Sequence, residues 1–194
     1  MRKIVSFLAQ LGLLTGFIYG TPTLASEQLR NLDSGVNCQI SYFHPGKQRY
    51  YTAGHCGDTG DRMRLPGGQD ARFVAMGNSG PSDWGYVDIK ERSANIRVPR
   101  IWSRYAPREA EVVCINSHVA GPRCGHVLES HDNWFIADAG ASGLPGDSGA
   151  PALNKQGKIL GIYTGVLIRE MNVLSFFVRL PSGERVTSWL SSSR

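Results

Sequence analysis

GLPGDSGAPAL, residues 143–153, sets three glycines and two prolines around one hydroxyl and one carboxylate. Gly146 and Gly149 flank Asp147 and Ser148, and glycine permits backbone angles and close approaches that a side chain blocks. Pro145 has no N–H to satisfy and stiffens the entry to the turn. Alone, GDSG is an ordinary turn, because Gly, Asp and Ser are the usual turn residues. It serves equally well to seat a reactive serine, with the Gly146 and Ser148 N–H groups facing one concavity as an oxyanion hole. The rest of the chain decides between these readings.

The 194 residues suit one globular domain, or one domain of two similar halves, with 41% hydrophobic and 19% charged residues. Twenty-three glycines and few helix-forming runs point to short strands joined by turns. Period-2 or short apolar runs place strands at 37–43, 49–53, 72–76, 84–89, 97–102, 111–115, 123–128, 134–137, 158–167 and 174–179. HPGK, LPGG, GNSGPSD, NKQGK and LPSGE punctuate them. Strands without intervening helices predict an all-β fold, either a sandwich or a pair of barrels. A short C-terminal helix is expected within 183–192, where Val186, Trp189 and Leu190 share one helical face. The Pro- and Arg-bearing stretch 103–108 is expected to join two barrel halves, approximately 36–102 and 109–180.

Arg2 and Lys3 precede an apolar run over 4–19 and then TPTLASEQ, with small residues at Thr23 and Ala25. This pattern predicts a signal peptide over 1–25, cleaved after Ala25, and a secreted domain over 26–194. Gln10, Gly12, Thr15 and Gly16 interrupt the run, which is short for a membrane span, so no stable membrane insertion is expected after cleavage. The remaining chain has 19 basic and 16 acidic residues, a net charge of +3. Arg92, Arg97, Arg100, Arg104 and Arg108 surround Trp102 and Tyr105, but no nucleic-acid motif accompanies them. They read as a solvated strand face, with no nucleic-acid partner.

Four cysteines in an exported chain read as two disulfides, for which three pairings exist. The short-range scheme, Cys38–Cys56 with Cys114–Cys124, closes one modest loop in each half. The competing metal site at Cys114, Cys124 and His126 lacks a C-x-x-C pair, and no metal is expected.

Acyl transfer by a serine requires a base to accept the hydroxyl proton and a carboxylate to fix the base's tautomer. His55, in YTAGHCGD, follows an apolar strand and immediately precedes Cys56. A Cys56–Cys38 bridge would staple the loop carrying this base to a neighbouring strand. The carboxylate is assigned to Asp83, which a turn delivers to the start of the strand in PSDWGYVDI. Asp88, five residues on, has the opposite pleat parity, and Asp58 and Asp61 lie in a polar loop too close to His55. Trp84 would shield the Asp–His pair from water. His44, His118, His126 and His131 read as structural or exposed.

TAGHC around His55, SDWGYV around Asp83 and GDSGAP around Ser148, in that order, resemble the chymotrypsin-like serine proteases, especially their short secreted bacterial branch. The resemblance spans 38 to about 178 and implies two antiparallel β-barrels of trypsin-like type with the site between them. It also implies a Ser–His–Asp triad of Ser148, His55 and Asp83, with the oxyanion held by the Gly146 and Ser148 N–H groups. Cys38–Cys56 is then the histidine-loop disulfide and Cys114–Cys124 a second-barrel disulfide. The implied activity is hydrolysis of protein or peptide substrates through an acyl-enzyme, by a monomer that needs no cofactor.

This chain departs from the family pattern in several places. The resemblance implies that the bottom of the specificity pocket falls approximately at Ser142, six before Ser148, so no aspartate would select Lys or Arg there, although Asp138 stands nearby in sequence. In GIYTGV, the resemblance assigns Thr164, Gly165 and Val166 to the substrate-pairing strand, where Val166 would narrow the pocket towards small or medium apolar side chains. No cysteine after Cys124 braces this pocket, and no activation sequence supplies a partner for Asp147. These departures sustain one alternative, a non-catalytic binding module on a protease fold.

Overall fold

The computed structural model describes residues 27–90, 92, 96–140 and 144–188. The signal-peptide expectation, Ser142 and the last part of the expected C-terminal helix lie outside these residues.

The first half is one seven-stranded sheet. Its strands are β1 (Gln28–Asn31), β2 (Asn37–Gln39), β3 (Tyr42–His44), β4 (Arg49–Thr52), β5 (Arg62–Arg64), β6 (Asp70–Ala75) and β7 (Gly85–Asp88), in the spatial order β2-β1-β5-β6-β7-β4-β3. The edge strands β2 and β3 are separated only by Ile40 and Ser41, so the sheet curls until its two edges meet there. Ile40 N–H reaches the Glu27 carbonyl on one side (2.7 Å) and Ser41 N–H reaches the Tyr51 carbonyl on the other (2.8 Å). The single strand expected over 37–43 therefore breaks at the corner of a half-barrel. Leu29, Ile40, Phe43, Tyr50, Met63, Phe73 and Val87 fill its interior.

The second half closes fully. It comprises β8 (Val112–Ser117), β9 (Gly121–Ser130), β10 (Trp134–Ala137), β11 (Pro151–Leu153), β12 (Ile159–Arg169) and β13 (Asn172–Val178), in the order β10-β13-β12-β11-β8-β9 with β9 paired to β10. Strict alternation along β8 turns Val113, Ile115 and Ser117 inward. Phe135 and Phe177 stack in the barrel core with centroids 4.6 Å apart. Cys114 and Cys124 sit directly opposite in the β8–β9 register and are joined, as are Cys38 and Cys56. The metal reading of Cys114, Cys124 and His126 therefore loses its thiolates.

A third apolar cluster, including Tyr42, Tyr51, Trp84, Trp102, Ile162, Val178 and Val186, welds the halves together. The expected strand over 97–102 is instead extended connecting chain whose only bridge joins Trp102 to Ile159. Trp102 is fully buried, so it offers no stacking surface beside the arginines. The described residues contain no α-helix. Ser182–Glu184 makes a single 3₁₀ turn, and Arg185 is extended. Val186 is held by its own backbone: its N–H donates to Tyr42 Oη (2.9 Å) and its carbonyl accepts the Trp102 N–H (2.7 Å). Those bonds to the rest of the fold displace the expected helical pattern around Val186.

Candidate active site

His55 lies in the 3₁₀ turn Gly54–Cys56, directly after β4. Three contacts fix that turn. Cys56 is bonded to Cys38. Gly54 is pressed so closely against the neighbouring chain that a Cβ there would lie 1.7 Å from the Gly77 carbonyl oxygen. Asp83, itself at the end of the 3₁₀ turn Gly80–Ser82, grips the histidine twice. Its Oδ1 accepts the His55 main-chain N–H (2.9 Å) and its Oδ2 lies 2.8 Å from Nδ1. Asp83 is only 5% exposed, and Trp84 beside it is also buried, so water is kept from the carboxylate while the His55 ring stays open to solvent.

Ser148 completes the chain of groups. Its Oγ lies 2.8 Å from His55 Nε2. Asp83 on Nδ1 selects the tautomer that leaves Nε2 free to accept a proton from a hydroxyl. Hydroxyl, imidazole and carboxylate are thus in series at hydrogen-bond distance. Asp88 takes no part: it is exposed and ion-paired with Arg49 at 2.5 Å.

The turn carrying Ser148 is fastened to both halves. From the first, Gln39 N–H donates to the Ser148 carbonyl (2.7 Å), while the Gln39 carbonyl accepts Thr52 Oγ1 (2.7 Å). From the second, Gly149 N–H donates to the Tyr163 carbonyl (2.7 Å). Gly149, with φ of +89°, has no room for a side chain, since a Cβ would lie 2.1 Å from the Gln39 carbonyl oxygen. The Gly146 and Ser148 N–H groups are paired with no acceptor among the described residues. Asp147, between them, is completely buried, and its carboxylate is satisfied by Ser117, His118, Val119 and Gln39.

Thr164, Gly165 and Val166 lie on β12 where its pairing with β13 slips between Tyr163 and Gly165. Thr164 is 8% exposed and Val166 is 40% exposed. The space where a Gly165 side chain would stand is open. Asp138 is engaged by β9, accepting the His126 main-chain N–H.

Gln39, Thr52, Gly54, Ser117 and His118 are site-supporting residues that the motifs alone do not reveal. Gln39 follows a half-cystine, and Ser117 is a polar residue on the inward face of an otherwise apolar alternating strand. Both signals are legible only once the strands are placed. His118, assigned no role by its side chain, acts through its main-chain N–H.

No protein-family model and no curated protein matches the chain. Solved structures do. Thermobifida fusca protease A superposes with a TM-score of 0.63 at 20% identity, covering 85% of this chain and 98% of that one. Cellulomonas bogoriensis chymotrypsin gives 0.61 at 19% identity, and Nocardiopsis protease 0.63 at 15%, each over the same shares. The fold is that of the bacterial chymotrypsin-like serine proteases.

Proposed function

We propose that this chain is a secreted serine endopeptidase acting through Ser148, His55 and Asp83. The observation that carries the reading is the unbroken series Ser148 Oγ, His55 Nε2 and Nδ1, Asp83 Oδ2, with both links at 2.8 Å. Ser148 attacks the scissile carbonyl while His55 takes its proton, and the Gly146 and Ser148 N–H groups receive the developing oxyanion. Imidazolium then protonates the leaving amine, and water enters by the same route to release the acyl group. No cofactor takes part. Thr164, Gly165 and Val166 on β12 serve the substrate side, where Val166 favours small or medium apolar side chains, and the resemblance assigns Ser142, outside the described residues, to substrate binding as well.

Two disulfides support an oxidising, extracellular setting, reached by cleavage of residues 1–25 to leave a domain over 26–194 with barrel halves at about 36–102 and 109–180. Among the described residues no helix is long and apolar enough to cross a membrane. The enzyme acts on polypeptides as a monomer.

The decisive experiment is labelling with a fluorophosphonate. Wild type is expected to take up one label at Ser148, and Ser148→Ala and His55→Ala none. Folded wild type with both disulfides intact that takes up no label overturns the assignment. Casein turnover abolished by Ser148→Ala separates an enzyme from a binding module of the same fold.

A further inference from the structure

Asp147 presents an electrostatic problem that the fold solves locally. Its carboxylate is wholly buried, and none of the ion pairs among the described residues includes it. A buried anion without donors is strongly destabilising. Here the donors are neutral and come from two directions. Oδ1 accepts the His118 N–H (2.8 Å), with the Val119 N–H and Gln39 Nε2 each at 3.4 Å. Oδ2 accepts Ser117 Oγ–H at 2.6 Å, its one donor among the described residues. The Ser117 hydroxyl is itself oriented, because its oxygen accepts the Ala120 N–H at 2.8 Å and so turns the proton towards Asp147.

We propose that Ser117, at the end of β8, is a positioning residue that sets the oxyanion-binding shape of the 144–150 turn through Asp147. This inference rests on the proteolytic reading above and adds how its oxyanion donors are held. The coupling is covalent and short: the peptide after Asp147 carries the Ser148 N–H, and the peptide before it, held by Asp147 N–H to the Leu144 carbonyl (3.3 Å), adjoins the one that carries the Gly146 N–H. Neither the Gly146 nor the Ser148 N–H has an acceptor among the described residues. Removing the Ser117 hydroxyl strands Oδ2 in the interior. Turning away to find another donor rotates the peptide that carries the Ser148 N–H. Oxyanion donors act on the transition state, so the loss belongs in kcat rather than KM.

The test compares Ser117→Ala, the near-isosteric Ser117→Cys and the hydroxyl-retaining Ser117→Thr on a peptide amide substrate. Ala and Cys are expected to lower kcat by about 10–100-fold, with KM changed less than about 2-fold, a smaller loss than the roughly 10²–10³-fold cost of deleting an oxyanion donor outright. Thr is expected to return kcat to within about 5-fold of wild type. A peptidyl trifluoromethyl ketone, whose adduct carries an oxyanion, should lose affinity in parallel with kcat/KM, while a cleaved product peptide should not. Folded Ala and Cys variants with wild-type kcat, or equal losses for ketone and product, overturn the role of Ser117. A second readout is independent of catalysis: the Gly146 and Ser148 amide resonances should shift in Ser117→Cys and return in Ser117→Thr. If wild type turns nothing over, the proteolytic reading fails, and these resonances still decide whether Ser117 sets the turn.

Discussion

Gln39 donates its main-chain N–H to the carbonyl of Ser148 across 2.7 Å, joining the strand beside one half-cystine to the serine turn of the other half. Because Cys38 is disulfide-bonded to Cys56, and Cys56 follows His55, both the histidine turn and the serine turn hang from residues 38–39. Residues 38–39 are therefore a shared attachment for the two turns that carry Ser148 and His55.

Gly149 is where that attachment has no slack. Gly149→Ala places a Cβ against the Gln39 carbonyl and Thr52 Oγ1 in a left-handed backbone region. Displacing Gln39 should lower kcat/KM by roughly 100-fold or more, as expected of a misplacement near 1 Å. A cost of about 2–4 kcal/mol, measured by urea unfolding, should accompany it.

Asp83→Asn should leave the fold intact, since an amide oxygen can still accept the His55 N–H. The amide NH₂ cannot accept from Nδ1, so the wrong tautomer is favoured, and kcat at neutral pH should fall by about 10⁴. Steady-state assay beside a thermal melt separates this loss from unfolding.

The two disulfides should differ in function more than in stability. Their sequence separations are 18 and 10, for which loop-closure entropy gives about 3 kcal/mol each. Cys38→Ser/Cys56→Ser also frees the turn carrying His55, whereas Cys114→Ser/Cys124→Ser loosens a β8–β9 pair already aligned by the barrel. Denaturant midpoints should drop similarly, but only the first pair should lower kcat below the melting range.

Glu184 makes the join between the halves sensitive to acid. Burial raises its carboxyl, but hydrogen bonds from Lys47 and Tyr51 outweigh burial and hold it below its ordinary 4.5. A depressed carboxyl stabilises the fold fully above the unfolded value and loses that contribution as pH falls through the folded value. Glu184→Gln should therefore melt a few degrees lower than wild type at pH 7, and the difference should close as pH falls below 4.5. A gap that stays constant with pH would count against the ion pair.

The three motif residues were legible because each stands at a sharp local change, from strand to turn or from turn to strand, and their chain order carries added meaning. β10 matches its expected bounds because WFIA is bounded on both sides by polar turn residues. β1, β5 and β11 were not anticipated: RMR and PAL are too short to show a period, and in QLRN a single apolar residue, Leu29, enters the core beside the buried polar Asn31. Residues 97–102 misled for the opposite reason. Their apolar content is real, but Val98 packs on the core of the first half and Trp102 in the cluster between the halves, without ladder pairing. The partners of Asp147 were invisible because two are main-chain N–H groups, which sequence does not display.

The bond from Val186 N–H to Tyr42 Oη spans 144 positions. A ribosome has finished residue 42 long before residue 186 emerges, so the buried tyrosine waits through most of synthesis without its partner. The first half can pair its strands locally in that interval, but the surface it shares with the second is completed last, and non-local closure of this kind is slow. His55 and Asp83 of the first half therefore meet Ser148 of the second in their final setting only when the chain is nearly complete.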